Sequence, residues 1–230
     1  MIGIIMNVWI VIAAYNEEKV IRSVIESVVE AYPDFSVVVV DDHSKDRTSE
    51  EALAGGATVL GHCVNQGQGA ALQTGTTYAL GRGADAIIHF DADGQHQASD
   101  IPKFLAALAS GYDVVLGSRF LGNAVNMPAL KRSILKMGTF FTWMFSGIKL
   151  TDTHNGFRAL TRTAAERIAI HENRSAHASE ILHDIRQYGL RVTEIPVTIL
   201  YTDYSLSRGQ SSWNALSVVG RIVWRKLFLE

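Results

Sequence analysis

Apolar residues fall along the first half of the chain in two alternating rhythms. Trp9 to Ala13 is a short continuous apolar run, the pattern of a buried strand. Val20, Ile21, Val24, Ile25, Val28 and Val29 then recur at helical spacing and give one buried face. Asn16 is expected to cap that helix, with Glu17 and Glu18 favourable at its positive end. Pro33-Asp34 breaks it, and Val37 to Val40 is the next strand. Thr48 with Glu51 makes a capping-box pattern for a second helix, which Gly55-Gly56 ends. Thr58 to Leu60 reads as a short strand, and Asn65 to Gly69 as a loop into a helix reaching about Leu80. Ala86 to Phe90 is a fourth strand. Ser99 and Asp100 open a helix through Ala109, and Asp113 to Leu116 is a strand leading into Gly117-Ser118-Arg119.

This alternation over residues 7–117, with short connections and near-continuous apolar strands, predicts an α/β fold. The sheet should be mostly parallel and doubly wound, with helices on both faces. The second half is less regular. Pro128 to Phe145 reads as a helix with the stripe Leu130, Ile134, Met137, Phe141 and Met144. Phe140, Trp143 and Phe145 widen the stripe, and Lys131, Arg132 and Lys136 cluster at its beginning. A helix buried under a loop is the plainer reading; a basic, aromatic helix on a membrane surface or an acyl chain is the alternative. Ile181, Leu182, Ile185 and Tyr188 mark a helix stopped by Gly189, and Arg191 to Leu200 a strand that Pro196 places at an edge or bend. Tyr201 to Ser211 reads as a polar loop, either a solvated linker or a mobile lid that carries Arg208 onto phosphates. Residues 212–229 form a last basic amphipathic helix that packs on the domain, touches a membrane or meets the second subunit of a homodimer. The expected organisation is one domain over 1–211 and a C-terminal helix over 212–230.

Composition narrows the partners. With 230 residues, 47% of them hydrophobic, there is enough material for one sizeable core. A net charge of −2 provides no basic field to hold nucleic acid. Cys63 is the single cysteine, which excludes an internal disulfide and a cysteine-built zinc site and fits a reducing compartment. Met1 to Asn16 holds no charged side chain before Glu17, yet it is shorter than the ~20 residues of a membrane span and lacks the basic start of a signal peptide. It reads as the first buried strand. The expected location is cytoplasmic, soluble or peripheral to the cytoplasmic face of a membrane.

Candidate chemistry collects after the strands. In Asp91-Ala92-Asp93-Gly94-Gln95-His96, two carboxylates stand just past a strand's C-terminal end, where open α/β sheets bind ligands. Hard oxygen donors at i and i+2 suit Mg²⁺ or Mn²⁺ shared with substrate phosphates. An Asp-Gly turn also forms without any function, so the motif decides little alone. Tyr15 to Glu17 and Asp41 to Asp46 follow strands too, and a parallel sheet brings all three clusters to one edge. No Gly-x-Gly-x-x-Gly follows the first strand and there is no Walker lysine loop, so dehydrogenase and P-loop chemistry lack their signatures. The 8 histidines read as structural or solvated, with His96 and His154 the two best placed to do more.

Six segments then occur in the order seen in family 2 glycosyltransferases. They are Tyr15-Asn16-Glu17, Val40 to Asp46, Asn65-x-Gly67-x-Gly69, Asp91 to Gln95, Gly117-Ser118-Arg119 and Asn155-Gly156-Phe157-Arg158. The chain resembles the polyprenyl- or dolichyl-phosphate sugar synthase branch over about residues 7–211. The resemblance implies a GT-A fold and a metal-dependent, inverting transfer from a nucleotide-diphosphate sugar to a polyprenyl or dolichyl phosphate, or to a cell-envelope glycan. Carried over, it implies that Ala13, Tyr15 and Glu17 line the nucleoside pocket and that Asp41 bonds the base or ribose. It gives Asp91, Ala92, Asp93 and Gln95 the diphosphate and its Mg²⁺ or Mn²⁺, with Asp91, Asp93 and Gln95 as metal ligands. Arg119 would face a donor or acceptor phosphate, and Arg208 would close over the diphosphate.

Three departures from the family pattern matter. Glu180 stands near where relatives carry an acidic pair whose Asp is the base, but Ile181 follows it. A hydroxyl acceptor needs a general base, whereas a phosphate is already ionised. The missing Asp therefore favours polyprenyl phosphate, with Glu180 itself as the alternative base. Gln68 and His43 also depart, away from the metal, and leave the nucleotide base open. Two rivals are a sugar-phosphate nucleotidyltransferase, whose Gly-rich basic signature is replaced here by Tyr15-Asn16-Glu17, and a non-catalytic nucleotide-sugar-binding subunit, against which the full set of carboxylates stands.

Overall fold

A computed structural model of the chain describes residues 6–153, 155–173 and 177–208. Strands and helices alternate through the first half as β1 (Val8–Ala14), α1 (Ile21–Ala31), β2 (Ser36–Asp41), α2 (Thr48–Ala54), β3 (Thr58–Gly61), α3 (Gln68–Gly81), β4 (Ala86–His89), α4 (Ile101–Ala109) and β5 (Val114–Val125). The second half adds α5 (Ala129–Ser146), β6 (Arg158–Thr161), α6 (Arg162–Arg167), α7 (His177–Gln187), β7 (Val192–Leu200) and α8 (Asp203–Arg208). The seven strands form one sheet in the order β3-β2-β1-β4-β6-β5-β7. Neighbours are parallel except β6, which runs antiparallel to both β4 and β5.

The apolar strands are buried on both faces because alternate side chains feed two cores. Val8, Ile10, Ile12, Val37, Val39 and Ile88 pack with Ile21, Ile25 and Val28 of α1 and Phe104 of α4. Trp9, Val11, Val38 and Ile87 pack on the other side with Leu72 of α3, Ala164 of α6 and Ile181, Leu182 and Ile185 of α7. At Gly75 of α3 an added Cβ would meet Val11 at 2.4 Å, so this glycine sets how closely the helix approaches β1. Pro196 sits in β7, an edge strand, where a missing amide hydrogen costs little.

Several local expectations are corrected. Asn16 does not cap α1: it adopts φ +56° and its side-chain oxygen accepts from the Lys45 amide. Glu17's carbonyl instead receives the amides of Val20 and Ile21. Thr48 forms no capping box. Its hydroxyl, fully buried, accepts from the Glu17 amide and donates to Asp46, whose carboxylate also receives the Thr48 amide. β5 runs past Leu116 to Val125, pairing with β7 across an irregularity between Ser118 and Asn123. The short strand β6 begins at Arg158, the last residue of the Asn155-Gly156-Phe157-Arg158 segment, where no strand is expected from the sequence. Residues 203–208 form helix rather than loop. The 212–229 helix, residues 1–5 and His154 lie outside the described residues.

Candidate active site

The loops after β1, β2 and β4 and the start of α3 enclose a cleft of about 210 Å³ at the C-terminal edge of the parallel strands. Ala13, Ala14, Tyr15 and Glu17 come from β1 and its loop, Asp42 from the end of β2, Gln68 and Ala71 from α3, and Asp91, Ala92 and Asp93 from the loop after β4. The three polar clusters therefore meet, as the parallel sheet requires. Asp42 ties two of the loops together: its carboxylate receives the amides of Gln66 and Gly67 at 2.8 and 2.6 Å and faces His62 Nδ1 at 2.8 Å. Gly67 adopts φ +106°, a conformation that glycine reaches without steric cost, and this lets the amide turn inward.

Asp91 is held from several sides. Its Oδ2 lies 2.9 Å from His96 Nε2 and its Oδ1 accepts from Gln68 Nε2 at 3.3 Å. Gln68, read from the sequence as away from the metal, thus bonds one of the two carboxylates assigned to it. Gly156 packs on the same carboxylate so closely that an added Cβ would stand 2.3 Å from Oδ1. Behind it, the rings of Phe90, His96, Phe104 and Phe157 stack or meet edge-on, with Phe104 and Phe157 centroids 4.1 Å apart. Loss of water would raise the Asp91 pKa, but His96, Arg158 and His177 outweigh it and hold the group down at about 2. Burial also depresses the Arg158 guanidinium to about 10, against the pull of Asp91. Asp93 goes the other way: burial first, and then the charge of Asp91, push it up to about 6. The two neighbouring carboxylates are thus shifted in opposite directions, Asp91 toward its charged form and Asp93 toward its protonated one.

The antiparallel direction of β6 explains how residues 155–158 reach this point. Arg158 pairs with His89 in the β4–β6 register, so the chain entering β6 crosses the edge where β4 ends. Asn155 closes the turn by accepting the Phe157 amide at 3.1 Å.

Arg119 is buried beside the cleft rather than in its wall. Its Nε donates to Asp152 Oδ2 at 2.6 Å and its Nη1 to the Tyr201 hydroxyl at 2.7 Å. Burial works against the charge, and Asp152 and Tyr201 more than restore it. Lys131 of α5 lays its ammonium over the Tyr201 ring, 4.8 Å from the centroid. Its pKa is lowered by burial and by Arg119, while Asp93 pulls it back, so Lys131 stands within electrostatic reach of Asp93.

The other sequence-selected residues are placed as follows. Asp41 does not line the cleft: its carboxylate receives the Ser44 amide at 2.8 Å and the Ser49 hydroxyl. Its neighbour Asp42 is the one at the cleft, because adjacent residues at a strand end point opposite ways. Gln95 donates its backbone N–H to Asp93 Oδ1 at 3.1 Å. Glu17 accepts from the Tyr204 hydroxyl at 2.7 Å, which ties α8 to the loop after β1. Glu180 spends Oε2 on the amides of His171 and Glu172, each 2.9 Å away, and is not among the cleft-lining residues. Arg208 is the last residue of α8. Sequence patterns did not single out Asp42, Lys131, Tyr204 or Arg158 for these contacts; Gly156 and Arg158 were visible only as part of a motif.

The donor set fits a divalent ion shared with a ligand. Asp91 and Asp93 are hard oxygen donors, and among the described residues no group of three or more His, Cys, Asp and Glu is arranged to hold a metal alone. A site of this kind suits Mg²⁺ or Mn²⁺, which take one or two carboxylates and complete their shell with phosphate oxygens and water.

Comparison with known proteins agrees with this geometry. The dolichyl-phosphate N-acetylglucosaminyltransferase of Methanococcus voltae that uses UDP-N-acetylglucosamine is 30% identical, over 96% of this chain and 96% of its own. The undecaprenyl-phosphate mannosyltransferase of Micrococcus luteus is 30% identical, over 95% and 94%. Among solved structures, glucosyl-3-phosphoglycerate synthase of Mycobacterium tuberculosis, in complex with Mn²⁺, UDP and glucosyl-3-phosphoglycerate, superposes with a TM-score of 0.74 at 18% identity, covering 96% of this chain and 80% of that one. That likeness establishes the GT-A fold. The family model of Glycosyl transferase family 2 matches residues 9–169, and the chain belongs to this family of glycosyltransferases.

Proposed function

We propose that this glycosyltransferase moves a sugar from a nucleotide-diphosphate sugar to a polyprenyl or dolichyl phosphate, inverting the anomeric carbon. The observation that carries the reading is the Asp91–Asp93 pair in the cleft, two hard oxygen donors on one short loop, with Asp91 held by Gln68 and His96. Mg²⁺ or Mn²⁺ held by Asp91 and Asp93, with Gln95 beside them, would act as a Lewis acid toward the leaving diphosphate. Ala13, Tyr15, Glu17 and Asp42 wall the nucleoside end, and Ala92 lines the cleft between the two carboxylates. Arg119, oriented by Asp152 and Tyr201, and Lys131 supply positive charge that draws and orients an acceptor phosphate. An acceptor oxygen forms the new bond to the anomeric carbon as the bond to the nucleoside diphosphate breaks, and the diphosphate leaves as an anion. The attacking phosphate oxygen carries no proton at neutral pH, so the step needs no base. The occupation of Glu180 by two backbone amides supports that choice of acceptor. Among the described residues no helix is long and apolar enough to cross a membrane. The lipid phosphate acceptor supports work at the cytoplasmic face of a membrane.

Incubation with UDP- and GDP-sugars, Mn²⁺ and a short polyprenyl phosphate should yield a lipid-linked sugar, with the configuration at the anomeric carbon read by NMR. Asp93→Ala should abolish both turnover and metal-dependent nucleotide binding. Full metal-dependent turnover by that variant would remove the assignment.

A further inference from the structure

The described residues between α5 and β6 form no regular element, yet they deliver Asp152 to Arg119. One carboxylate on β7 holds them. Glu194 Oε2 accepts the Thr151 amide at 2.7 Å, and Oε1 accepts the Thr151 hydroxyl and the Asp152 amide, each at 3.0 Å. In the β5–β7 register Glu194 stands beside Leu116, on the same stretch of β5 that carries Ser118 and Arg119. Thr151 spends its single hydroxyl hydrogen on Glu194, so in the 2.6 Å contact with Ser118 it is Ser118 that donates. Ser118 Oγ in turn receives the amides of Phe120 and Leu121, each at 3.2 Å. The charge of Glu194 therefore sets the direction of every bond in this chain. At its other end Asp152 is buried, and its Oδ2 accepts both the Arg119 amide at 3.1 Å and Nε at 2.6 Å. Glu194 itself is not among the cleft-lining residues.

We infer that Glu194 is a positioning residue for the transfer: by fixing the backbone at 151–152 it aims Asp152, and through Asp152 the Arg119 guanidinium that meets the acceptor phosphate. The inference rests on the role proposed for Arg119. Two successive amides and a hydroxyl on one carboxylate leave the turn a single backbone conformation, and charge-assisted bonds of this kind are the strong ones. Glutamine at 194 cannot reproduce the pattern. With its oxygen on the Thr151 amide, its NH₂ faces the Asp152 N–H; turned over, it faces the Thr151 N–H. Either way two donors oppose each other and the turn shifts, carrying Asp152 with it. A clamp that only closed a turn would lower stability and leave donor and acceptor kinetics affected alike. A clamp that aims Arg119 acts on the acceptor side alone.

The test uses the full chain, with heteronuclear NMR of the arginine Nε–H groups to read the guanidinium directly. The Arg119 signal is assigned by its loss in Arg119→Lys. Wild type should show a slowly exchanging Arg119 Nε–H, and in Glu194→Gln it should exchange about tenfold faster or more. In steady state with Mn²⁺, a nucleotide sugar and polyprenyl phosphate, Glu194→Gln should raise the acceptor KM about tenfold or more. The donor KM and calorimetric binding of UDP or GDP with Mn²⁺ should not change, and kcat should change far less than the acceptor KM. Added to Arg119→Met/Asp152→Ala, Glu194→Gln should have no further effect on the acceptor KM, because residues that act through one another do not add. Thr151→Val keeps both amides on Glu194 and removes only the hydroxyl link, so it should give the same pattern with a smaller loss; it decides the question if Glu194→Gln does not fold. An Arg119 Nε–H that exchanges as in wild type, or an acceptor KM loss of equal size with and without the Arg119–Asp152 pair, would overturn the inference. Wild type that uses no polyprenyl phosphate, while Glu194→Gln still frees the Nε–H, would count against the proposed acceptor alone.

Discussion

Gly156 rests directly on the carboxylate of Asp91, leaving no room for a side chain: a Cβ there would stand 2.3 Å from Oδ1 and 2.4 Å from Oδ2. The contact joins the loop before β6 to the loop after β4, two segments 65 positions apart in the chain.

Gly156→Ala should therefore displace Asp91 and not the fold around it. Overpacking of this size costs about 1–3 kcal/mol, and loss of a positioned ligand costs about 10–100-fold in metal affinity. Calorimetric titration of Mn²⁺ in the presence of nucleotide should show that weakening, with circular dichroism unchanged. Wild-type affinity would mean that Asp91 moves without consequence.

Asp93 sets a pH dependence with a definite sign. Its folded pKa of about 6 lies above the ordinary 3.8. The folded state therefore binds the proton more tightly, and stability falls as pH rises from about 4 through 6, by roughly 1–3 kcal/mol. Metal binding runs the opposite way, since the ligand must be ionised. Mn²⁺ affinity should be about tenfold weaker at pH 5 than at pH 7. Asp93→Asn should flatten the stability profile over that window, which thermal melts at a series of pH values would reveal.

The Arg119–Asp152 pair is almost fully buried, with side-chain exposures of 7% and 1%. Asp152→Ala leaves a guanidinium with its main partner gone and should cost about 3–5 kcal/mol, or roughly 10 °C in Tm for a chain of this size. The double change Arg119→Met/Asp152→Ala should recover part of that loss, because both charges are removed together. A double variant no more stable than the single one would contradict a coupled pair.

Glu180→Gln separates the two acceptor classes. A glutamine oxygen still accepts the amides of His171 and Glu172, so the loop is kept. With a phosphate acceptor, kcat should fall less than about tenfold, whereas loss of a general base costs about 10²–10⁴-fold. Steady-state rates with polyprenyl phosphate decide between them.

What the amino-acid order determined was the frame. The apolar runs at Trp9 to Ala13, Val37 to Val40 and Ala86 to Phe90 are strands buried on both faces, and the one polar position among them, His89, is kept by a hydrogen bond to Thr76. Their parallel alignment carries Tyr15, Asp42 and Asp91 to one edge, so the place of the cleft was legible in the order of strands and polar clusters. The contacts within the cleft were not. Strand β6 has four residues, too few for a period to show, and its antiparallel insertion between β4 and β5 is what brings Gly156 and Arg158 against Asp91. Alternation along β2 separates Asp41 from Asp42, and only the packed loops show that Asp42 is the one at the cleft. Packing decided that Arg119 answers Asp152 and Tyr201, and that Glu180 holds a loop. Local patterns fix what each segment buries; which charges meet depends on contacts between residues far apart in the chain, and those exist only once the sheet has closed.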